Sequence, residues 1–297
     1  MPTTSRLLVV ATMQTWRADE LAAAAGAGWA VASSLGLDVP DLDSAAALRW
    51  WTPQEHAARL AVSGCALTVH APHPQWLAEL PPRWLRRDVW VGPVEQLHEA
   101  PAAAWYKPAT VKIDTLPAAW RRRDQMHAWL DAQSAAGHDL SGLMLAATGH
   151  ADWRWEVRCW IRARQVVGAG VYLADGVAYT QDPRVDTVDR VGPAAAWCQQ
   201  LLDDGLHVPD GVVVDVGCDR DGRFSVVEAN PAWASSWYGV PAAAVLDVLD
   251  AAGDPNPASA GRWRWRPDVW LLRRAAAKRP LPAGGRLRLL STPHAGT

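Results

Sequence analysis

The chain has 297 residues, 49% of them hydrophobic, and 29 Lys/Arg against 31 Asp/Glu give a formal net charge of −2. That length suits one large domain or two to three small ones with a sizeable core, and the near-neutral charge argues against a protein built mainly to coat nucleic acid. Cys65, Cys159, Cys198 and Cys218 have no C-x-x-C spacing, which argues against a zinc ribbon or disulfide framework and for reduced thiols in the cytoplasm.

The opening stretch MPTTSRLLVVATMQTW holds too short an apolar run for a signal peptide or a membrane span. Its Arg6–Thr12 portion reads as a buried strand, and a helix is expected over Ala18–Ser33, weakened by Gly26 and Gly28. TPQEHAARLAVSG reads as a helix: Thr52 and Glu55 form a capping box, Pro53 takes the first helical position and Gly64 supplies the stop. CALTVHAP then reads as a strand. This alternation predicts a small open α/β domain over residues 1–95.

A second domain is expected over residues 96–253. AAAWYKPATVKID reads as a strand region, WRRRDQMHAWLDAQSAAG as a helix closed by Gly137, and LSGLMLAAT as a buried strand. WEVRCWIRARQVVGAGVYL reads as two strands joined near Arg164–Gln165. GPAAAWCQQLLDDG is a helix with Pro193 near its start, and a last helix runs from Pro241 to Gly253. Residues 254–297 read as a tail. It carries nine Arg/Lys between Arg262 and Arg288 against Asp268, interleaved with Trp263, Trp265 and Trp270. Such a segment can bind nucleic acid, pack as a helix by its tryptophans, or form a homodimer contact. Basic runs are permissive signals, so nucleic acid is not the expected partner.

GVVVDVGC and RFSVVEAN flank Asp221–Gly222, a strong hairpin signal because a type I′ turn needs positive φ at both central residues. With those two as the loop, Cys218 faces Ser225, Val216 faces Val227 and Asp215 faces Glu228. Alternation then puts Asp215, Glu228 and Asn230 on one face and Val212, Val214, Val216 and Val227 on the core face. Directly opposed carboxylates repel unless a cation or proton lies between them. Two acids and an amide oxygen suit Mg²⁺, which binds through one or two carboxylates plus substrate phosphates; the alternative is ordinary surface acids. On this register, replacing either acid should leave the metal-free protein no less stable. Opposed acids also serve metal-dependent nucleases, but those often place a lysine where this chain has Asn230.

Lys107 in WYKPAT sits at a strand end that could aim an ammonium at a phosphate, with Lys112 following in TVKID; both could equally be solvated surface lysines. Glu156 and Arg158 share one strand face, either as a structural pair or with the guanidinium steadying phosphate oxygens. No P-loop and no G-x-G-x-x-G follows a strand.

The order of these pieces — a lysine-proline strand, an E-x-R strand, then D-x12-E-x-N on a hairpin — resembles the ATP-grasp superfamily of carboxylate–amine ligases. VVEANPAWASSWYGVPAAAVLDVL is similar to the closing motif of a bacterial clade of predicted peptide and amide ligases in that superfamily, and WLAELPPRWLRRDVWV and WYKPATVKIDTLPAAW resemble its earlier segments. The resemblance covers residues 70–253. It implies a mixed α/β (α+β) ATP-grasp fold in which mixed and antiparallel sheets clasp ATP. It also implies a ligase that uses ATP and Mg²⁺ on small-molecule or peptide carboxylate and amine substrates, the alternatives being a non-catalytic relative that binds a nucleotide and signals through a partner, or a nucleic-acid-directed ligase or binder that uses the basic tail. Asp215, Glu228 and Asn230 would then hold the Mg²⁺ of MgATP, and Lys107 and Lys112 would contact phosphates. Arg158 would stabilise the transferring phosphoryl group, Glu156 would hold Arg158 or touch the nucleotide, and adenine would lie near Leu145 and Ala146. The family's glycine-rich phosphate loop has no counterpart in PATVKIDTLP.

Overall fold

Four short sheets organise the described part of the chain. The structure, a computed structural model, describes residues 6–11, 15–26, 28–34, 39–40, 47–178, 188–253 and 261–290. The first lobe is built on β1 (Arg6–Ala11), β2 (Trp29–Ser34), β3 (Val39–Pro40) and β4 (Ala47–Trp51), with β1 central and parallel to both β2 and β4. Leu8, Val9 and Val10 are all buried, as a parallel strand covered on both faces requires.

The helix expected over Ala18–Ser33 is shorter. It is α1 (Thr15–Ala24), and Gly28 turns the chain at φ +94° so that Trp29–Ser34 can run beside β1. The two glycines withdraw helix propensity where a β partner is waiting. α2 (Gln54–Val62) ends as read, with Gly64 at φ +89° and the Cys65 amide donating to the Leu60 carbonyl at 3.0 Å. Its start differs. Thr52 makes no capping box; its buried hydroxyl donates to the Ala11 carbonyl at 3.0 Å and ties the end of β1 to the helix entry. CALTVHAP pairs in none of the sheets: His70 forms an isolated bridge with Arg264.

α3 (Pro82–Leu85) leads into an antiparallel sheet of β5 (Val89–Pro93), β6 (Ala103–Pro108), β7 (Ala119–Arg122) and β8 (Met144–Thr148), ordered β5-β8-β6-β7. α4 (Arg123–Ala135) follows β7, closed by Gly137 at φ +81°. β5 lies before the boundary read at residue 95, yet it pairs with β8 beyond it. The third sheet holds β9 (Trp153–Arg162), β10 (Gln165–Ala174), β11 (Val177–Ala178), β12 (Gly211–Asp219) and β13 (Phe224–Pro231), in the antiparallel order β11-β10-β9-β12-β13. The β9–β10 turn is Ala163–Arg164, both at positive φ, one residue before the expected Arg164–Gln165. α5 (Val188–Asp203) covers one face of this sheet, and its start places Pro193 inside the helix. α6 (Ala242–Ala252) packs on that sheet's other face and also on α1 and β4, joining the lobes.

The segment read as a tail is woven into the fold. The Ala71 amide donates to the Trp263 carbonyl and the Trp265 amide to the Val69 carbonyl, both at 2.8 Å. α7 (Val269–Ala277) packs on α2, and Asp268 caps it by accepting from the Leu271 amide at 2.7 Å. β14 (Ala283–Gly285) pairs with β3, and β15 (Arg288–Leu290) adds to β2 antiparallel. Trp263 and Trp270 are buried, so the tryptophans anchor this segment. Among the described residues no helix is long and apolar enough to cross a membrane.

Candidate functional site

The β12–β13 hairpin brings Asp215 opposite Glu228, through a register that differs from the simple reading. Cys218 pairs with Phe224, Gly217 with Ser225 and Val216 with Val226; a bulge at Val227 then restores Asp215 to Glu228. The turn is longer than Asp221–Gly222 because the Asp219 carboxylate organises it, accepting from the Asp221 and Arg223 amides at 2.9 Å each. Val226, in place of Val227, therefore takes the core position. Arg87 secures the bulge, donating to the carbonyls of Val226 at 2.8 Å and Val227 at 2.9 Å. Burial pushes the Arg87 guanidinium down to about 10, while Glu156 and Glu228 pull the other way.

Five side chains from two sheets form one connected row. Arg158 on β9 grips Asp215 with two bonds, Nε to Oδ1 at 2.8 Å and Nη2 to Oδ2 at 2.7 Å. Asn230 donates from Nδ2 to Asp215 Oδ2 at 3.2 Å and to Glu228 Oε1 at 2.7 Å. Lys107, at the end of β6 in the facing sheet, forms an ion pair with Glu228. The opposed acids are thus each paired with a cation and bridged by an amide, which offsets the repulsion that their proximity creates.

The environments of the two acids differ. Asp215 is fully buried at 0% exposure, whereas the Glu228 side chain is 26% exposed. Burial works against the Glu228 charge, but the Lys107 ammonium and the Asn230 amide hold its carboxyl down at about 2. Burial opposes the Arg158 charge too, and the Asp215 carboxylate overrides it, pushing the guanidinium above its ordinary value. Glu156, on the same strand face as Arg158, is raised to about 7 by burial; Tyr172 donates to it and pulls down, while Asp215 and Glu228 push up. The rings of Tyr172 and Tyr238 each lie 5.3 Å from the Arg158 guanidinium carbon. Tyr238 sits in the left-handed region at φ 43°, and its backbone closes against Gly170, where any Cβ would overlap the Tyr238 carbonyl oxygen.

A cleft of about 240 Å³ opens beside this row. Lys107, Val91 and Ala146 line it from one sheet and Glu228 and Asn230 from the other, and Arg262, Arg264 and Arg266 line it from the C-terminal segment. Strand alternation separates two residues read together: Ala146 faces the cleft, while Leu145 is buried in the core with Tyr106 and Met126. Lys112 is exposed on the β6–β7 connection and is not among the lining residues. That glycine-free connection is anchored by Val111, Ile113 and Leu116, all buried in the same core. Arg87, Tyr172, Tyr238 and the three arginines were not singled out from sequence as site residues. The three arginines lay in the basic run noted above, whereas Tyr172 sits in a register shift between Val171 and Leu173 that alternation does not foretell.

Among the described residues no group of three His, Cys, Asp or Glu side chains is placed to hold a metal ion. The donor set is two carboxylates and an amide, which fits Mg²⁺ when phosphate oxygens and water complete its shell. Both Asp215 oxygens are engaged by Arg158, and Oδ2 also by Asn230, so a cation at Asp215 would share the carboxylate with Arg158 or displace it.

Two antiparallel sheets thus face each other across the cleft, one offering a lysine and the other an Arg–Asp–Glu–Asn row. The chain belongs to the ATP-grasp domain family, R-2-K clade family 2, which matches residues 84–248. Members of the ATP-grasp family are mostly ATP-dependent carboxylate–amine ligases and generally use ATP with Mg²⁺. The mixed α/β arrangement of several small sheets matches ATP-grasp structures. One is the RimK domain protein ATP-grasp from Sphaerobacter thermophilus DSM 20745, 18% identical, covering 84% of this chain and 97% of that chain with a TM-score of 0.44. Another is the D-alanine-D-alanine ligase from Coxiella burnetii, at 10% identity, 84% and 94% coverage and a TM-score of 0.49. A third is the ATP-grasp ligase PsnB complexed with minimal precursor, at 14% identity, 84% and 99% coverage and a TM-score of 0.38. No curated protein matches the chain.

Proposed function

We propose that this protein is an ATP-dependent ligase that joins a carboxylate to an amine, forming an amide or peptide bond through an acyl phosphate. The observation that carries the reading is the row Lys107–Glu228–Asn230–Asp215–Arg158. It holds two cations that can be released to phosphate and two acids that can be released to a metal. Asp215, Glu228 and Asn230 would hold Mg²⁺, which supplies charge neutralisation on the phosphate oxygens.

Lys107 turns from Glu228 to ground-state phosphate oxygens. Arg158 turns from Asp215 to the γ-phosphoryl group, where a guanidinium meets several oxygens at once. Tyr172 and Tyr238 keep it in plane as it does so, and Glu156 positions Tyr172. Ala146 supports the adenine side of the cleft. Lys112 reaches phosphate only if the β6–β7 connection folds further over the cleft. The substrate carboxylate attacks the γ-phosphorus, the bond to ADP breaks, and the amine then displaces phosphate from the acyl carbon and loses a proton. Trp76 and Trp265 on the cleft wall help exclude water, which would otherwise hydrolyse the acyl phosphate.

The test is product identity. ADP with free phosphate is expected, and hydroxylamine should trap a hydroxamate when the acid is present and the amine withheld. AMP with pyrophosphate would indicate adenylation. Turnover of ATP with the correct acid but without hydroxamate or amide would make the protein a kinase or ATPase on this scaffold.

A further inference from the structure

The arginines of the RWRWR stretch at 262–266 lie outside the family-matched residues 84–248, yet all three line the same cleft as Lys107 and Glu228. We propose that Arg264 and Arg266 form a carboxylate-recognition rim, so that the acid substrate carries a second carboxylate besides the one activated. This rests on the ligase reading above.

The placement follows from the local backbone. Residues 261–263 form a short helical turn, and hydrogen bonds at Trp263 and Trp265 to Ala71 and Val69 hold the chain that leaves it against residues 69–71, around the bridge from His70 to Arg264. Trp263 is buried in a core cluster and stacks on His73 at 5.9 Å, and Trp265 meets Trp233 edge-on at 5.0 Å. Arg264 and Arg266 are exposed and line the cleft, as Trp265 between them also does. The tryptophans thus fix the backbone that presents the arginines.

The charges are not spent internally. Glu228 and Asp268 are the carboxylates that line the cleft. Glu228 is paired with Lys107, and Asp268 accepts from the Thr110 hydroxyl and the Leu271 amide, both at 2.7 Å. Arg262 leans on Glu79 at 3.6 Å, which also faces His73 at 3.4 Å. Arg264 and Arg266 have no ion-pair partner among the described residues. A guanidinium is weakly hydrated and matches a carboxylate bidentately, so two unmatched ones at the mouth of an acid-activating cleft favour a dicarboxylic amino acid or an acidic peptide.

The experiment uses the full chain, saturated with MgADP at low ionic strength where exposed charges are least screened. Calorimetric titration compares tetra-aspartate with tetra-asparagine, and succinate with propionate. The expected result is a preference of roughly tenfold or more for the acidic member of at least one pair. It should be lost in Arg264→Ala/Arg266→Ala and reduced but still present in Arg264→Lys/Arg266→Lys, which keeps the charge without the fork, with MgADP affinity unchanged in both. A preference seen with succinate assigns a small diacid; one seen only with the peptide assigns an acidic peptide. Equal binding within both pairs, or a preference that survives the double alanine variant, overturns the proposal. So does a double alanine variant that loses MgADP affinity, because the arginines would then serve the nucleotide. Failure of MgADP to bind the wild-type chain is read separately and sinks the ligase assignment together with this one.

Discussion

Asp215→Asn should destabilise the metal-free protein, the opposite of what two opposed acids alone would suggest. In the sequence reading, neutralising one acid relieves repulsion. In the structure, Asp215 is fully buried and accepts both arms of a nearly buried Arg158 guanidinium at 2.8 and 2.7 Å. An asparagine keeps one acceptor and turns an NH₂ group toward the guanidinium, leaving its charge unmatched. Breaking one partner of a buried pair costs about 3–5 kcal/mol. At roughly 2 °C per kcal/mol for a chain of this size, that is a fall of about 6–10 °C in melting temperature. Thermal unfolding followed by circular dichroism in EDTA measures it directly. A double variant, Arg158→Leu/Asp215→Leu, removes both charges and should recover much of the loss, since an apolar pair can replace a buried ion pair at little cost. If Asp215→Asn melts within a degree of wild type in EDTA, Asp215 is not holding Arg158 and the proposed exchange of partners on ligand entry fails.

Lys107→Ala should mainly raise the Kd for ATP, and Arg158→Lys, which keeps a charge on Asp215 but loses the fork, should mainly lower kcat by about 10²–10³; steady-state kinetics with the reverse pattern would mean that the two roles are exchanged. Glu156, raised to about 7 by burial, holds its proton more tightly folded than unfolded, so it subtracts nothing below about pH 4.5 and lowers stability progressively as pH rises from there to about 7. Glu156→Gln in EDTA should therefore gain up to ~3 kcal/mol over wild type at pH 8 and little at pH 4.5, and parallel stability–pH curves for the two proteins would disprove it. Gly170→Ala should cost about 1–3 kcal/mol, because the new Cβ forces the Tyr238 backbone away, and it should also lower kcat by loosening the rings beside Arg158; urea titration with turnover assays checks both.

What could be read from sequence was whatever local rules determine. The Asp215–Glu228 opposition lies within one hairpin, and the reading reached it although the loop and the strand register were each displaced by one residue. The long turn organised by Asp219 and the bulge at Val227 offset one another. The order lysine strand, E-x-R strand and acidic hairpin was visible because order needs no contacts. The partners of Glu228 and Asp215 were not: Lys107 and Arg158 lie on other strands, and sheet pairing between distant segments leaves no periodicity in either one. For the same reason CALTVHAP looked like a sheet strand, and residues 261–290 looked like a tail. Their partners, His70 with Arg264, Val39 with Ala283 and Ala32 with Leu289, are spread across the length of the protein. Thr52 shows the competing case, in which a good capping signal lost to a buried carbonyl at Ala11.

The position of β15 at the outer edge of β2 bears on how the protein is made. β1, β2 and β4 can assemble once residue 51 has left the ribosome, but β2 then presents one row of unpaired amides and carbonyls until residue 290 emerges. At ordinary translation speeds that interval is on the order of tens of seconds. An open strand edge is a template for pairing with other chains, and neighbouring ribosomes on one message hold many identical copies of it. The exposed Trp29–Ser34 edge is therefore the expected point of early misassembly and chaperone engagement. The lobe built on β1 gains its outer strand only when residues 288–290 emerge.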